Sequence, residues 1–514
     1  MSAPLNIQPA PGSQGNGVAS FDSLGNERIN GSLSIGGVMK LAAQARTPIQ
    51  TPGSLTLYSP DGNTLSALGA NGLPGSFQVD GTTDWFNVKA FGAAGDGTTD
   101  DTAAINAAIA SAAVKGGVVY LPTGTYATSA TLVITADGVY LLGDGMGATI
   151  VKPATGALFD VISTPIPASA GTAGFIRNFI GVASLTIDGS NMTGTTAGQG
   201  NGIHFYGVRY SRIYDVNITA VPNFGILLDG DATNFSYGIH VRGCRIINGA
   251  AGFMATFCEE TFFTFNEVLQ ANLATAAAQP AFAPQTSVGY LVRLVSGYTE
   301  IVGNVFGSSG TYTSPAVQSE NSGPVRIEAN RFDQCRYQAI KTNSPNSIIV
   351  GNQIGNPSSS GSVEGIRLGS GSNTIVGNKF DTTNGAAHYT YCIAEAAAES
   401  NNLIANNNLV TGTTGTISLN AASTGNQVNG NVGYNPVGSV TPPAVPATTV
   451  NATNSFGTNA VVYVVGATVT AITVAGVATG LAGTATGTAV RVPTGSTINL
   501  TYASGTPTWT WFLD

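Results

Sequence analysis

A chain of 514 residues with 67 glycines but only 9% charged residues lies far below the roughly 25% charge of an average globular protein. Its 43% hydrophobic content supplies a core and excludes charge-driven disorder. A net charge of −8 with 19 Lys and Arg provides too few cations to neutralise a run of phosphates, which argues against a nucleic-acid partner. The N-terminal "MSAPLNIQPAPGSQGNGVAS" has neither a basic start nor an apolar segment, so no signal peptide is expected. Within residues 1–84, "LTLYSPDGNTL" (55–65) reads as a hairpin.

The next stretch, "FNVKAFGAAGDGTTDDTAAINAAIASAA" (86–113), gathers Asp96, Asp100 and Asp101 close behind Asp84. A calcium loop needs Gly at its sixth position and Glu at its twelfth. Counted from Asp96, those positions hold Asp101 and Ala107. Ala103, Ala104, Ile105, Ala108, Ile109 and Ala112 instead fall at helical spacing, and Gly116–Gly117 stops the run. The acidic knot therefore reads as a helix start, with Thr99 or Asp100 as N-cap and two carboxylates at the positive end of the dipole. Strands alternating with Gly and Pro turns follow, at 118–121, 132–134 and 139–142.

From there the chain repeats. The phrase apolar–x–Gly/Ala–Asn recurs with Asn304, Asn330, Asn352, Asn378, Asn407 and Asn431, spaced 26, 22, 26, 29 and 24 residues apart. A second phrase interleaves with it, from "GIHFYG" at Gly202 through "GILLDG", "GYLVRL" and "GIRLGS" to the 415–420 region. A period in the twenties with strand-like content denotes a solenoid, here of about three strands per coil and roughly a dozen coils. The asparagines are expected to form an internal ladder. Cys244, Cys258, Cys335 and Cys392 show no metal spacing and read as buried thiols. The uncharged run 460–483 is broken by Gly466, Gly476 and Gly480 and alternates Thr with Val or Ile, which is strand periodicity and not a membrane span.

The segment "VKAFGAAGDGTTDDTAAINAAI…GGVVYLPTGTY…GVYLLGDGMGATIV" closely resembles the entrance of the pectate-lyase-like right-handed β-helix proteins, in the version common in phage tailspikes. The resemblance implies an all-β fold: a right-handed parallel β-helix with an N-terminal capping helix over 85–436. It further implies a virion-attachment module over 1–84, while the residues themselves read as a Pro-rich linker over 437–447 and a C-terminal β-sandwich over 448–514, for trimerisation or carbohydrate binding. As a whole it implies a homotrimeric tailspike, joined through its N-terminus to phage tail, baseplate or adaptor proteins. Such a spike would be made in the host cytoplasm and act at the host surface. There it would bind and depolymerise a polysaccharide (capsule, exopolysaccharide or lipopolysaccharide O-antigen), without cofactor or metal. Hydrolysis is the first reading of the reaction and elimination the second. A non-enzymatic receptor-binding virion protein and a secreted pectinase-like enzyme are the alternatives.

Alternation along the second phrase is expected to turn His204, Tyr206, Asp229, Thr256, Arg293, Gln318, Glu320, Lys341, Asn343 and Arg367 outward into an exposed stripe. Asp229, Glu259, Glu260 and Glu320 are the catalytic candidates. Asp229 is expected to pair with Glu259 or Glu260 one coil on, at a separation suiting two glycosidase carboxylates, or else Glu320 with a carboxylate on a neighbouring chain. His204, Tyr206, Arg293, Gln318, Lys341, Asn343 and Arg367 are candidates to bind substrate, with Arg293 on an acidic group. The insertion before Tyr290 is expected to cover the Glu259–Glu260 region. Trp509 and Trp511, alternating near the C-terminus, are expected to stack on sugar or pack against another subunit. The Gly-His-Gly and Arg-Ile-Lys signatures of polygalacturonases are absent, the nearest strings being "NGIHFYG" and "QAIKTN".

Overall fold

The computed structural model describes residues 85–513 except 194–198, 271–291, 296, 309–314, 321–322, 336, 356–362, 382–388, 435–437, 467 and 485. Before residue 85 it describes only short strands, among them Thr56–Tyr58 and Ser66–Leu68, which pair antiparallel where the hairpin is expected. The remainder of 1–84 and the insertion at 271–289 lie outside the described residues.

The body is a parallel solenoid. One coil runs through strands Phe224–Asp229, Ser236–Arg242 and Arg245–Ile247, and the next through Ala251–Thr256, Cys258–Thr264 and Glu267–Gln270. Residues stack in register from coil to coil: Ile226 on Phe253, Ile246 on Val268. First strands build an 11-stranded sheet and the other two a 24-stranded sheet. Inward files such as Ile203, Ile226, Phe253, Val292 and Val317 are fully buried. No coil could bury such a file alone, so stacking supplies the core.

The Asn phrase is the corner between second and third strands. Each ladder Asn follows a residue with positive φ: Phe265 at 55°, Gly303 at 69°, Ala329 at 53°, Gly351 at 66°, Gly377 at 68°. This left-handed residue turns the chain between strands, and Gly adopts it without a Cβ penalty. The turn would orphan backbone groups, and the Asn satisfies them. Asn352 donates from its backbone N–H and its Nδ2 to Asn378 Oδ1, and from Nδ2 to the Ile327 carbonyl. Its own Oδ1 accepts the corresponding pair from Asn330. The ladder runs from Asn266 to Asn431. A Cβ at Gly303 would meet the Phe265 ring at 2.7 Å, whereas at Gly351 it meets nothing within 4 Å. Gly351→Ala is therefore expected to cost about 1–2 kcal/mol for the left-handed backbone alone, and Gly303→Ala clearly more. Urea midpoints check this, and equal losses would show that the ring yields freely.

The helix forms where expected, at Thr102–Ala112, and buries Ile105, Ala108, Ile109 and Ala112 in the core. Its cap differs from expectation. Asp101, not Thr99 or Asp100, occupies the N-cap position, and its carboxylate makes no capping bond. That carboxylate is buried and accepts from the backbone N–H groups of Ala94 (2.6 Å) and Gly95 (3.1 Å), pinning the preceding turn. Asp100 caps locally through the Thr102 N–H and hydroxyl.

At the other end, two four-stranded antiparallel sheets face one another as a sandwich. Trp509 and Trp511 both point into its core, 7% and 0% exposed, with rings 5.5 Å apart. They are available neither to a sugar nor to another subunit, because the alternate positions Thr510 and Phe512 take the outer face. The Pro-rich segment is also not a free linker. Gly438–Val440 pairs with the last strand, Trp509 Nε1 donates to the Pro443 carbonyl (2.8 Å), and Tyr502 Oη to that of Pro446 (2.8 Å). The 460–483 run forms strands Ala460–Val465 and Val469–Val474. Among the described residues no helix is long and apolar enough to cross a membrane.

Candidate functional site

The register of the 11-stranded sheet follows the second phrase. Arg293, Gln318, Lys341 and Arg367 lie side by side on successive coils, and Tyr206 lies beside Asp229. Their exposure does not follow. His204 is 4% exposed, Tyr206 3%, Asp229 5%, Thr256 9%, Arg293 2% and Gln318 6%.

The causes are local. Segment 164–176 is strapped down over one end of the stripe. Asp231 Oδ2 accepts from the Gly171 N–H (2.6 Å), Asn234 Nδ2 donates to the Thr172 carbonyl (2.9 Å), and Thr164 Oγ1 accepts the Tyr206 N–H (2.8 Å). In the middle, Leu227 and Met254 take outward positions and cluster with Phe224, Ala251 and Val295. Beyond them Arg293 is already satisfied: Glu320 grips it at 2.9 and 3.2 Å, and Gln318 donates to the same carboxylate. Arg293 is thus not poised for an acidic sugar, nor is Glu320 a free catalytic carboxylate. Arg367 pairs with Glu364 at 3.4 Å, while Lys341 and Asn343 are half-buried.

Glu259 and Glu260 are not on this face. Phe257, at φ 50°, turns a corner, so both lie on Cys258–Thr264 in the other sheet, with Glu259 opposite Tyr237. There they line an open groove of about 620 Å³ with Phe262, Tyr298, Glu300 and Arg326. The expected pairing of Asp229 with either glutamate is not formed.

What the fold does assemble around Asp229 is an imidazole between two carboxylates. His204 Nδ1 lies 2.7 Å from Asp160 Oδ2, and Nε2 lies 3.7 Å from Asp229 Oδ2, an ionic contact beyond hydrogen-bond length. Asp160 is fixed by the backbone N–H and Nδ2 of Asn201 (2.9 and 2.8 Å), and Asp229 by the Gly230 N–H (2.8 Å). Among the described residues His204 Nε2 is buried without a hydrogen-bond partner. Beside it, Tyr206 Oη donates to Asp231 (2.5 Å), whose other oxygen accepts from the N–H groups of Thr233 and Asn234. Burial opposes the charge on His204, but the two carboxylates outweigh it and raise its pKa to about 9. For Asp231, burial is outweighed by the Tyr206 hydroxyl and the backbone donors, which hold it below the usual carboxylate range. Burial, and then the hydrogen bond to Asp231, raise the Tyr206 phenol. At neutral pH the centre holds an imidazolium between two carboxyl groups, a device that can deliver a proton or stabilise an anionic reacting group. Among the described residues no three His, Cys, Asp or Glu side chains converge as metal ligands.

Because the folded pKa of His204 exceeds the unfolded value near 6.5, its contribution to stability is complete below pH about 6.5 and is lost as pH rises through about 9. Unfolding free energy is expected to fall by on the order of 3 kcal/mol across that window. Denaturation at a series of pH values checks this, and Asp160→Asn is expected to flatten the curve.

Residues 85–283 match the family model described as Rhamnogalacturonase A/epimerase, pectate lyase-like. This region is pectate-lyase-like. Among curated proteins the chain is 35% identical to mannuronan C5-epimerase AlgE4 of Azotobacter vinelandii over 201 residues, 36% of this chain and 34% of the epimerase. It is 35% identical to alginate lyase 7 of the same organism over 188 residues, 34% of this chain and 21% of the lyase. The chain thus spans about a third of the epimerase and about a fifth of the lyase. Among solved structures it is similar to the Dettilon tailspike protein gp208, at 16% identity and TM-score 0.49, covering 84% of this chain and 94% of that one.

Proposed function

We propose that this protein is a polysaccharide-binding β-helix spike whose pectate-lyase-like region acts on an acidic polysaccharide of a host surface, with the chemistry centred on His204. The observation that carries the reading is the imidazole held between Asp160 and Asp229, beside Tyr206, on the outer face of the 11-stranded sheet. The names of the sequence relatives, an epimerase and a lyase of uronic-acid polymers, support proton transfer at carbon over hydrolysis. Epimerising a sugar carbon and eliminating across a glycosidic bond both begin with loss of a carbon-bound proton, whereas hydrolysis canonically uses two carboxyl groups flanking the bond, and at the His204 centre Asp229 is not joined by Glu259 or Glu260, which lie on the other sheet. In this reading Asp229 accepts the proton and His204, protonated, stabilises the charge that develops. Asp160 fixes the ring, and Lys341 and Arg367 meet sugar units further along. The role as a homotrimeric virion spike rests on the entrance sequence and on the separate N-terminal unit Met1–Thr82, and mass by light scattering tests it.

Incubation with acidic polysaccharides distinguishes the reactions. Elimination yields ultraviolet-absorbing unsaturated ends, and epimerisation incorporates solvent deuterium without chain cleavage. Hydrolysis yields reducing ends without absorbance. Either of the first two is expected, and reducing ends alone would overturn the proposal. A binding-only spike is favoured by one observation, the burial of Asp160, His204 and Asp229 in the single chain, and is indicated if polymer binds with no product of any kind.

A further inference from the structure

The 24-stranded sheet carries a second cluster that the His204 centre does not use. Strand Arg212–Thr219 pairs with Ser236–Arg242 so that Arg212 lies beside His240 and Tyr214 beside Arg242. The intervening Ile213 and Val241 are fully buried, so the other four side chains point outward. They form a quadrilateral with edges of about 5 Å between strands and about 7 Å along them. The arginines hold one diagonal and the rings the other.

Each arginine is positioned by aromatic rings and not by a carboxylate. Arg212 lies 5.7 Å from the Tyr140 ring and 6.0 Å from that of Tyr214, and Arg242 lies 5.2 Å from Phe265. Tyr140 spans the coil between through Gly181, where a Cβ would meet its ring at 2.6 Å. His240 stacks on Phe262 at 4.6 Å and 12°. Arg245, Arg293, Arg326, Arg331 and Arg367 all pair with carboxylates. Among the described residues Arg212 and Arg242 do not, and the acidic neighbour Asp215 leans instead onto Gly243 of the next coil. Two preoriented guanidinium groups beside flat rings suit a ligand that is both anionic and a sugar, because guanidinium matches carboxylate or phosphate geometry and aromatic rings cover apolar sugar faces.

We propose that Arg212, Tyr214, His240 and Arg242 form a second, non-catalytic site for a saccharide bearing an anionic group, carboxylate or phosphate. The site lies on a different sheet from His204 and holds whether or not His204 is catalytic. The test titrates the full chain with three labelled oligomers of equal length: oligomannuronate, a glycerol-phosphate oligomer and neutral dextran. It uses the wild type, the His204→Gln variant, and the double variant Arg212→Gln with Arg242→Gln. Wild type and His204→Gln are expected to bind at least one anionic oligomer, more weakly as salt rises, and dextran at least tenfold less well. The double variant is expected to lose that binding tenfold or more and to keep any turnover of a short oligomer. Whichever anionic oligomer responds identifies the source of the charge. Unchanged binding in the double variant, no anionic binding by the wild type, or an equal loss for dextran would overturn the proposal. If the double variant has an altered unfolding midpoint, Arg212→Lys with Arg242→Lys replaces it. That pair keeps the charge without the planar fork and is expected to weaken binding severalfold, so full affinity there would equally refute the site.

Discussion

His204→Gln is expected to lower product formation from an acidic polysaccharide by a hundredfold or more while leaving polymer binding within a few fold. Glutamine preserves a donor toward Asp160 and much of the ring's volume, so the Asn201–Asp160 anchor should hold. What it cannot do is carry a titratable proton, and removing a group that transfers or stabilises a proton typically costs about 10²–10⁴ in rate. The accompanying readout is the pH dependence of stability. The fall between about 6.5 and 9 belongs to the His204 charge and should disappear in the same variant. Full turnover with the alkaline transition abolished would show that His204 is a buried structural ion and that the chemistry lies elsewhere.

The second large effect is on the fold. Asn352→Ala removes the side chain that satisfies the Ile327 carbonyl and the two donors of Asn330. Each buried orphan costs about 1–3 kcal/mol, so a loss of about 4 kcal/mol is expected. The same change at the ladder's end is expected to be milder, about 1 kcal/mol. Asn431 is 8% exposed against 0% for Asn352, so water can replace part of what is lost. Urea unfolding of the two variants checks the contrast. Similar small losses would mean that the ladder decorates the coil and does not hold it together.

The ladder was legible in the sequence because one need, filling a left-handed corner, recurs with one solution in the coils from Asn266 to Asn431. The lateral register of the outward stripe was legible for a similar reason, since strand alternation is strict. Exposure was not, because burial of Tyr206 and Asp229 depends on the 164–176 strap, which has no counterpart in the repeat. Asp160 escaped for the same cause: its partner Asn201 lies 41 residues on, a coil too long for the period to reveal. Glu259 and Glu260 were placed on the wrong face because Phe257 turns a corner in a conformation that bulky residues rarely adopt. Nothing in "ATFCEE" marks that turn. Trp509 and Trp511 show the converse: alternation fixed that both share a side and left open which side is the core.

The last coil ends against the sandwich, where the Val428 N–H donates to the Gly457 carbonyl (2.8 Å) and Gly457 packs onto the Val428 side chain. A solenoid is an open stack whose final layer presents a row of unused donors and acceptors, the same template on which fibrils grow. By occupying the Val428 donor, Gly457 takes a place on that edge where a further coil would pair, the part a chain terminator plays for the polymer chemist.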